Sequence, residues 1–115
     1  MSKPRDIFKA FADETRVRIL HLLAQGEQCV CELHGTLRLP QPTISRHLAY
    51  LRRMGLVVER KQGKWVIYQL APAGDAVHES LLKCLRGCFR KVEVLKKDST
   101  RRAKLKSPRC IGDER

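Results

Sequence analysis

Cys29 and Cys31, separated only by Val30 and followed by Glu32-Leu33-His34, are the residues of this chain best suited to chemistry. Thiolate sulfur selects soft metals, and an imidazole suits zinc or copper as well. The same two thiols serve equally as small apolar side chains buried by a helix. In a regular helix, residues two apart point about 200° away from one another. Cys29 and Cys31 therefore grip one ion only where a helix has not yet begun, or where it is made to unwind. Cys84, Cys88 and Cys110 bring the cysteine count to five, an odd number. The chain opens without the charged, apolar and small-residue run of a signal peptide, so a reducing cytoplasm is its expected location. There, clustered thiols mean metal or redox chemistry more often than disulfide staples.

The elements that must position these groups belong to a chain of 115 residues, enough for one domain with a modest core. It carries 24 Lys and Arg against 12 Asp and Glu, a net charge of +12. That charge is uneven. Residues 41–64 hold six basic side chains and one acidic, and residues 86–115 hold eleven basic and four acidic, with a nearly neutral stretch between them. Two basic regions point to a polyanionic partner rather than to a merely solvated surface. Nucleic acid fits better than a membrane, because no long apolar run or basic amphipathic N-terminus is present.

Periodicity predicts a mainly helical α+β chain with one small β-hairpin. A first helix runs from about Pro4 to Ala12, and a second follows an Asp13 N-cap and stops at Gly26. A third spans roughly Val30 to Leu37 and is closed by Leu39-Pro40. A fourth begins at Gln41-Pro42 and ends at Gly55. Two helices joined by so tight a turn have helix-turn-helix spacing. The β-branched and aromatic runs "LVVERK" and "KWVIYQL", separated by Gln62-Gly63, predict a hairpin with a basic tip. From Pro72 one long helix is expected, with Val77, Leu81, Cys84, Cys88, Val92 and Leu95 in a single stripe. The domain is expected to occupy residues 1–97, and residues 98–115 to form a mobile basic tail.

Ile44, Leu48 and Leu51 fall on one side of the fourth helix and anchor it to the core. The outward face then carries short side chains near its start and cations throughout. A B-DNA major groove admits such a helix, with Gln41, Thr43, Ser45 and Arg46 near base edges and Arg52 and Arg53 near phosphates. Arg60, Lys61 and Lys64 at the hairpin suit an adjacent backbone or minor groove, adding affinity rather than sequence choice.

The run "LPQPTISRHLAYLRRMGLVVERKQGKWVIYQL", with "FADETRVRILHLL" and "CVCEL", closely resembles the ArsR/SmtB family of winged-helix metal-responsive repressors, and within it the arsenic-responsive members. The resemblance covers about residues 5–71. It implies a homodimer that sits on a palindromic double-stranded operator, represses a resistance operon and lets go when a metalloid binds. By position, Gln41, Thr43, Ser45 and Arg46 fall in the family's recognition helix and residues 60–64 in its wing. Pro40 departs from the family, many members of which place Ser before the Gln-Pro pair.

The resemblance also implies the inducer. Members with "CVCDLC" capture As(III) or Sb(III) on thiolates, commonly three in a pyramid, and this chain keeps Cys29 and Cys31 but has His34 at the third place. The third ligand is therefore open among His34, Cys84, Cys88 and Cys110. Cys84 and Cys88 suit packing in a dimer seam as well as ligation, and Cys110 lies in the expected tail. If only Cys29 and Cys31 supply sulfur, a monoalkyl arsenical is the natural effector. In the family's zinc-sensing branch, the first two ligand places fall here on Pro72 and Gly74. Asp75, His78 and Glu79 are accordingly expected to form a solvated helix beginning, favourable to its dipole.

Closing both sulfurs on one atom would distort the entry of the third helix, which positions the recognition helix, so capture and DNA binding compete for one segment. No resident cofactor is required, with As(III) or Sb(III) acting as inducer. Catalysis is not expected, since the chain lacks a Gly-rich phosphate loop, a plausible Ser-His-Asp set and paired catalytic carboxylates. The rival function is a thiol redox switch, or a thiolate buffer or sensor for Cd(II), Pb(II) or Zn(II). Uncovered apolar faces on the first and last helices predict self-association. A two-fold dimer would set two recognition helices about 34 Å apart on one face of DNA.

Overall fold

The computed structural model describes residues 4–105, without the side chains of residues 4, 5, 88 and 90. The elements run α1 (Pro4–Phe11), α2 (Glu14–Leu23), β1 (Gln28–Cys29), α3 (Val30–Leu37), α4 (Gln41–Arg53), β2 (Val57–Gln62), β3 (Trp65–Leu70), α5 (Ala76–Arg86), a 3₁₀ turn (Cys88–Lys91) and α6 (Glu93–Lys104). This is a winged helix-turn-helix, mainly helical with a small antiparallel sheet. None of the described helices is long and apolar enough to cross a membrane.

The local signals for the first four helices work as physical chemistry requires. Asp13 is extended, and its carboxylate accepts from the backbone N–H of Arg16 at 3.1 Å, satisfying one of the donors left over at the start of α2. Ile19, Leu20, Leu22, Leu33, Ile44, Leu48 and Leu51 are all fully buried in one cluster beneath α2, α3 and α4. A buried side chain of this kind stabilises the fold by about 1.5–3 kcal/mol relative to leaving it in water. Between α3 and α4, Arg38 adopts a left-handed φ of 59° and Pro40 stands as an N-cap that offers no side-chain acceptor. Its carbonyl takes over the turn, accepting from Thr43 and Ile44 at 3.0 and 3.2 Å.

Five expectations need correction. The hairpin turns at Gly63-Lys64 rather than Gln62-Gly63, since Gln62 pairs with Trp65. Gly63 has φ +62° while Lys64 does not have positive φ, the pattern of a type II′ turn, in which only the first loop position needs glycine's freedom. The sheet also has a third strand, β1, in the order β1-β3-β2, with Gln28 opposite Tyr68 and Cys29 opposite Ile67.

The long last helix is two helices. Gly87 leaves the helical region (φ −111°, ψ −95°), the 3₁₀ turn follows, and Val92 is extended before α6 begins. Glycine costs a helix interior about 1 kcal/mol, and here the break lets α6 fold back along α2. The stripe from Val77 to Leu95 is therefore not one surface. The boundary set at residue 98 falls inside α6: Asp98 is wholly buried, and the helix continues to Lys104. Residues 106–115, with Cys110, lie outside the described residues.

His78 is also not solvated. It is buried at the start of α5, its Nδ1 accepting from the Gly74 N–H at 3.0 Å, while the Asp75 carboxylate caps the helix through the His78 N–H at 2.9 Å. Burial pushes the His78 imidazole below its ordinary value, against the Asp75 charge, and burial does the same to His21, against Asp98. The unfolded chain takes up these protons near pH 6.5 and the folded one resists, so stability is fully present above that pH and falls as pH drops below it. Thermal unfolding between about pH 7.5 and 5.5 should show this decline, and His78→Gln, which keeps an acceptor for Gly74, should flatten it. An identical slope in the variant would contradict the assignment.

Candidate nucleic-acid interface and thiol cleft

Helix α4 presents two faces. Ile44, Leu48 and Leu51 have no exposed surface, whereas Gln41, Ser45, Arg46, Arg52 and Arg53 are exposed and Thr43 is half-buried. The periodicity that put the leucines inward thus put the cations outward. Arg60, Lys61 and Lys64 are exposed on the wing.

Their charges are not equally available. Arg60 donates from Nη2 to both carboxylate oxygens of Glu27 at 2.6 Å, and its Nη1 donates to Gln62 at 2.8 Å. Arg52 lies 3.5 Å from Glu59, and the Lys64 ammonium sits 5.6 Å from the centre of the Trp65 ring. Glu27, thirty-three residues earlier in the chain, was not legible as the partner of Arg60. Arg16 was missed as well. Its Nε and Nη2 donate to the Ala10 and Lys9 carbonyls at 3.0 Å, and its guanidinium lies 4.2 Å from the centre of the Tyr50 ring on α4.

The thiol pair sits at a junction. Cys29 is the last residue of β1 and the N-cap of α3, extended (φ −92°, ψ 169°) and 3% exposed. Its backbone N–H donates to the Glu32 carboxylate at 3.0 Å, one arm of a capping box. Cys31 lies in the first turn of α3. One sulfur thus belongs to residues before the helix and the other to residues within it, so the 200° separation of a regular helix does not apply to the pair. Both cysteines line a cleft of about 310 Å³ with Gln41, the first residue of α4, and with Lys64, Trp65 and Val66 of the wing.

Of the remaining candidates, His34 and Cys84 do not line that cleft. Among the described residues no three His, Cys, Asp or Glu side chains converge as a metal site. His34 is turned to the Leu39 carbonyl, with Nδ1 2.6 Å from that oxygen. A carbonyl only accepts, so Nδ1 donates, which in the neutral tautomer leaves the lone pair on Nε2. Cys84 is half-buried on α5. Cys31 is in a disulfide, whereas Cys29 and Cys84 are not. The side chains of Cys88 and Cys110 lie outside the described residues.

The family model "Bacterial regulatory protein, arsR family" matches residues 13–58. The chain is 52% identical over 83 residues to the arsenic resistance transcriptional regulator ArsR2 of Pseudomonas putida, covering 70% of this chain and 72% of that protein. It is 57% identical over 70 residues to the arsenical resistance operon repressor of Escherichia coli K12, covering 60% of each, so the match spans less than two thirds of that relative. A solution structure of a homodimeric winged helix-turn-helix DNA-binding domain from Mycobacterium bovis superimposes with a TM-score of 0.61 at 26% identity. It covers 90% of this chain and 86% of that one.

The Glu27–Arg60 pair yields a direct test on duplex DNA. Glu27→Gln removes the carboxylate that holds Arg60, and one further cation reaching phosphate steepens the dependence of log K on log salt by about one unit. A slope equal to wild type would show that Arg60 stays turned away from the backbone.

Proposed function

Because the chain belongs to the arsR family of bacterial regulatory proteins, which are DNA-binding transcriptional regulators, we propose that it is a metalloid-responsive repressor. A homodimer binds a palindromic operator through α4 and the wing and is released when As(III), Sb(III) or a monoalkyl arsenical is captured by the thiols of Cys29 and Cys31. The observation that carries this proposal is the shared cleft: the two cysteines, the first residue of α4 and the base of the wing line one hollow.

The chemistry follows from the donors. Two thiols and a monoalkyl arsenous acid give a dithioarsenite and two waters: two As–S bonds form, two As–O bonds break, and the thiol protons leave with the hydroxyls. The resulting arsenic has its three bonds, one to carbon and two to sulfur, and needs no third protein donor. Inorganic arsenite would retain one hydroxyl or recruit a further ligand, for which His34 Nε2 has the lone pair. Drawing the two sulfurs onto one atom pulls on Cys29, which is paired to Ile67 of β3, and on Cys31, in the first turn of α3. The strain then reaches the wing through β3 and α4 through α3.

A second function is favoured by one specific observation, the disulfide at Cys31. As a thiol redox switch the protein would respond to an oxidant rather than to a metalloid. Titration of an operator complex with arsenite, antimonite, methylarsenite, zinc and cadmium under reductant, and separately with hydrogen peroxide, decides between them. A metalloid sensor is released by arsenicals and keeps DNA in peroxide, whereas release by peroxide alone marks the redox switch.

Two sets of variants extend the test. Cys29→Ser with Cys31→Ser should hold the operator as tightly as wild type and fail to let go with methylarsenite; normal release would place the inducer elsewhere. Arg46→Ala should weaken operator binding about ten- to a hundredfold, as loss of a base-directed arginine does. An unchanged gel-shift midpoint would remove Arg46 from the contact face.

A further inference from the structure

The charges of α6, which read in sequence as a tail, are built into the interior. Asp98 has no exposed surface. Arg18 of α2 donates to it from Nε to Oδ2 at 2.9 Å and from Nη2 to Oδ1 at 3.0 Å, and Arg101 donates from Nη2 to Oδ1 at 2.8 Å. At the exposed edge, Gln25 Nε2 donates to the Ser99 hydroxyl at 2.8 Å.

Arg101 also reaches the opposite way. Its Nε donates to the carbonyl of Thr36 at 2.7 Å. Thr36 is in the last turn of α3, where backbone carbonyls have no partner within the helix. Leu105 closes against the same helix, so near that a Cβ on Gly35 would lie 3.2 Å from its Cδ2. Helix α6 therefore holds α2 through Asp98 and the end of α3 through Arg101. The thiol pair stands at the beginning of that same eight-residue helix.

We propose that Arg101 is a positioning residue that holds α3 in its DNA-binding track, so that α6 sets how much metalloid is needed to release the operator. The proposal rests on the metalloid function of the cleft. A ligand shifts an equilibrium only by its differential affinity for the two states. Whatever distortion of α3 accompanies capture must work against the Thr36–Arg101–Asp98 tie, and the apparent affinity for the inducer is lower by that amount.

The test uses the full, reduced chain with methylarsenite as probe. Trp65, the single tryptophan, lines the cleft and reports binding by its fluorescence. Arg101→Gln should raise methylarsenite affinity roughly tenfold, the lower end for loss of a charged hydrogen bond, and lower the concentration for half-release of operator by the same factor. Amide exchange along α3 without inducer should quicken. Arg101→Lys, which keeps a charge for Asp98 and a donor for Thr36, should return all three to wild type. A structural role alone would lower the thermal midpoint without moving inducer affinity. Equal affinity and equal α3 exchange in wild type and Arg101→Gln, or failure of lysine to rescue, overturns the proposal. If wild type takes up no methylarsenite, the metalloid function fails, and α3 exchange still decides on the brace: faster exchange in Arg101→Gln alone upholds it, and equal exchange overturns it. Should Arg101→Gln not fold, Gln25→Ala loosens α6 without touching the buried carboxylate and makes the same comparison with a smaller factor.

Discussion

Residues 28–31 must satisfy two hydrogen-bonding regimes in succession, and the rest of the molecule is arranged around that constraint. Gln28 and Cys29 pair with β3 as a strand, and one residue later the backbone is helical. The change of direction is held by the Glu32 carboxylate on the Cys29 N–H, and Gln28, itself buried, donates from its side chain to the Leu22 carbonyl at 2.9 Å. A segment anchored on both sides has little freedom to take a third shape unless something provides the free energy. In the proposed capture, two covalent As–S bonds would supply it.

Much of this was legible in the sequence, and the reasons are local. Asp13, Pro42 and Gly55 act within one turn of where they stand, and the apolar period of α4 fixes which of its residues face outward. The β-branched and aromatic composition of residues 56–70 marks two strands, with the loop displaced by one residue because pairing continues to Gln62 and Trp65. That Cys29 and Cys31 cannot share a regular helical surface follows from helical geometry alone.

What was not legible depends on groups far apart in sequence. A two-residue strand has too few side chains to show a period, so β1 is visible only through its partner β3. Gly87 within an apolar stripe reads as a tolerated flaw, and nothing nearby reveals that the chain turns there. Asp98 among lysines and arginines reads as a solvated charge, because the partner that buries it, Arg18, lies eighty residues earlier. His34 matches the place of a third ligand by spacing, yet the carbonyl of Leu39, on the turn into α4, takes its Nδ1.

The guanidinium of Arg16 closes the carbonyl end of α1 and lies over the ring of Tyr50 in α4. Any second molecule that grasps α1, where Phe8 stands exposed, thereby takes hold of the reading helix at one remove. The gauge between two such helices would be fixed like the legs of a calliper by a stacked cation rather than by the length of a loop. Operators with half-sites set a base pair closer or farther apart would then strain that joint, on both protomers at once.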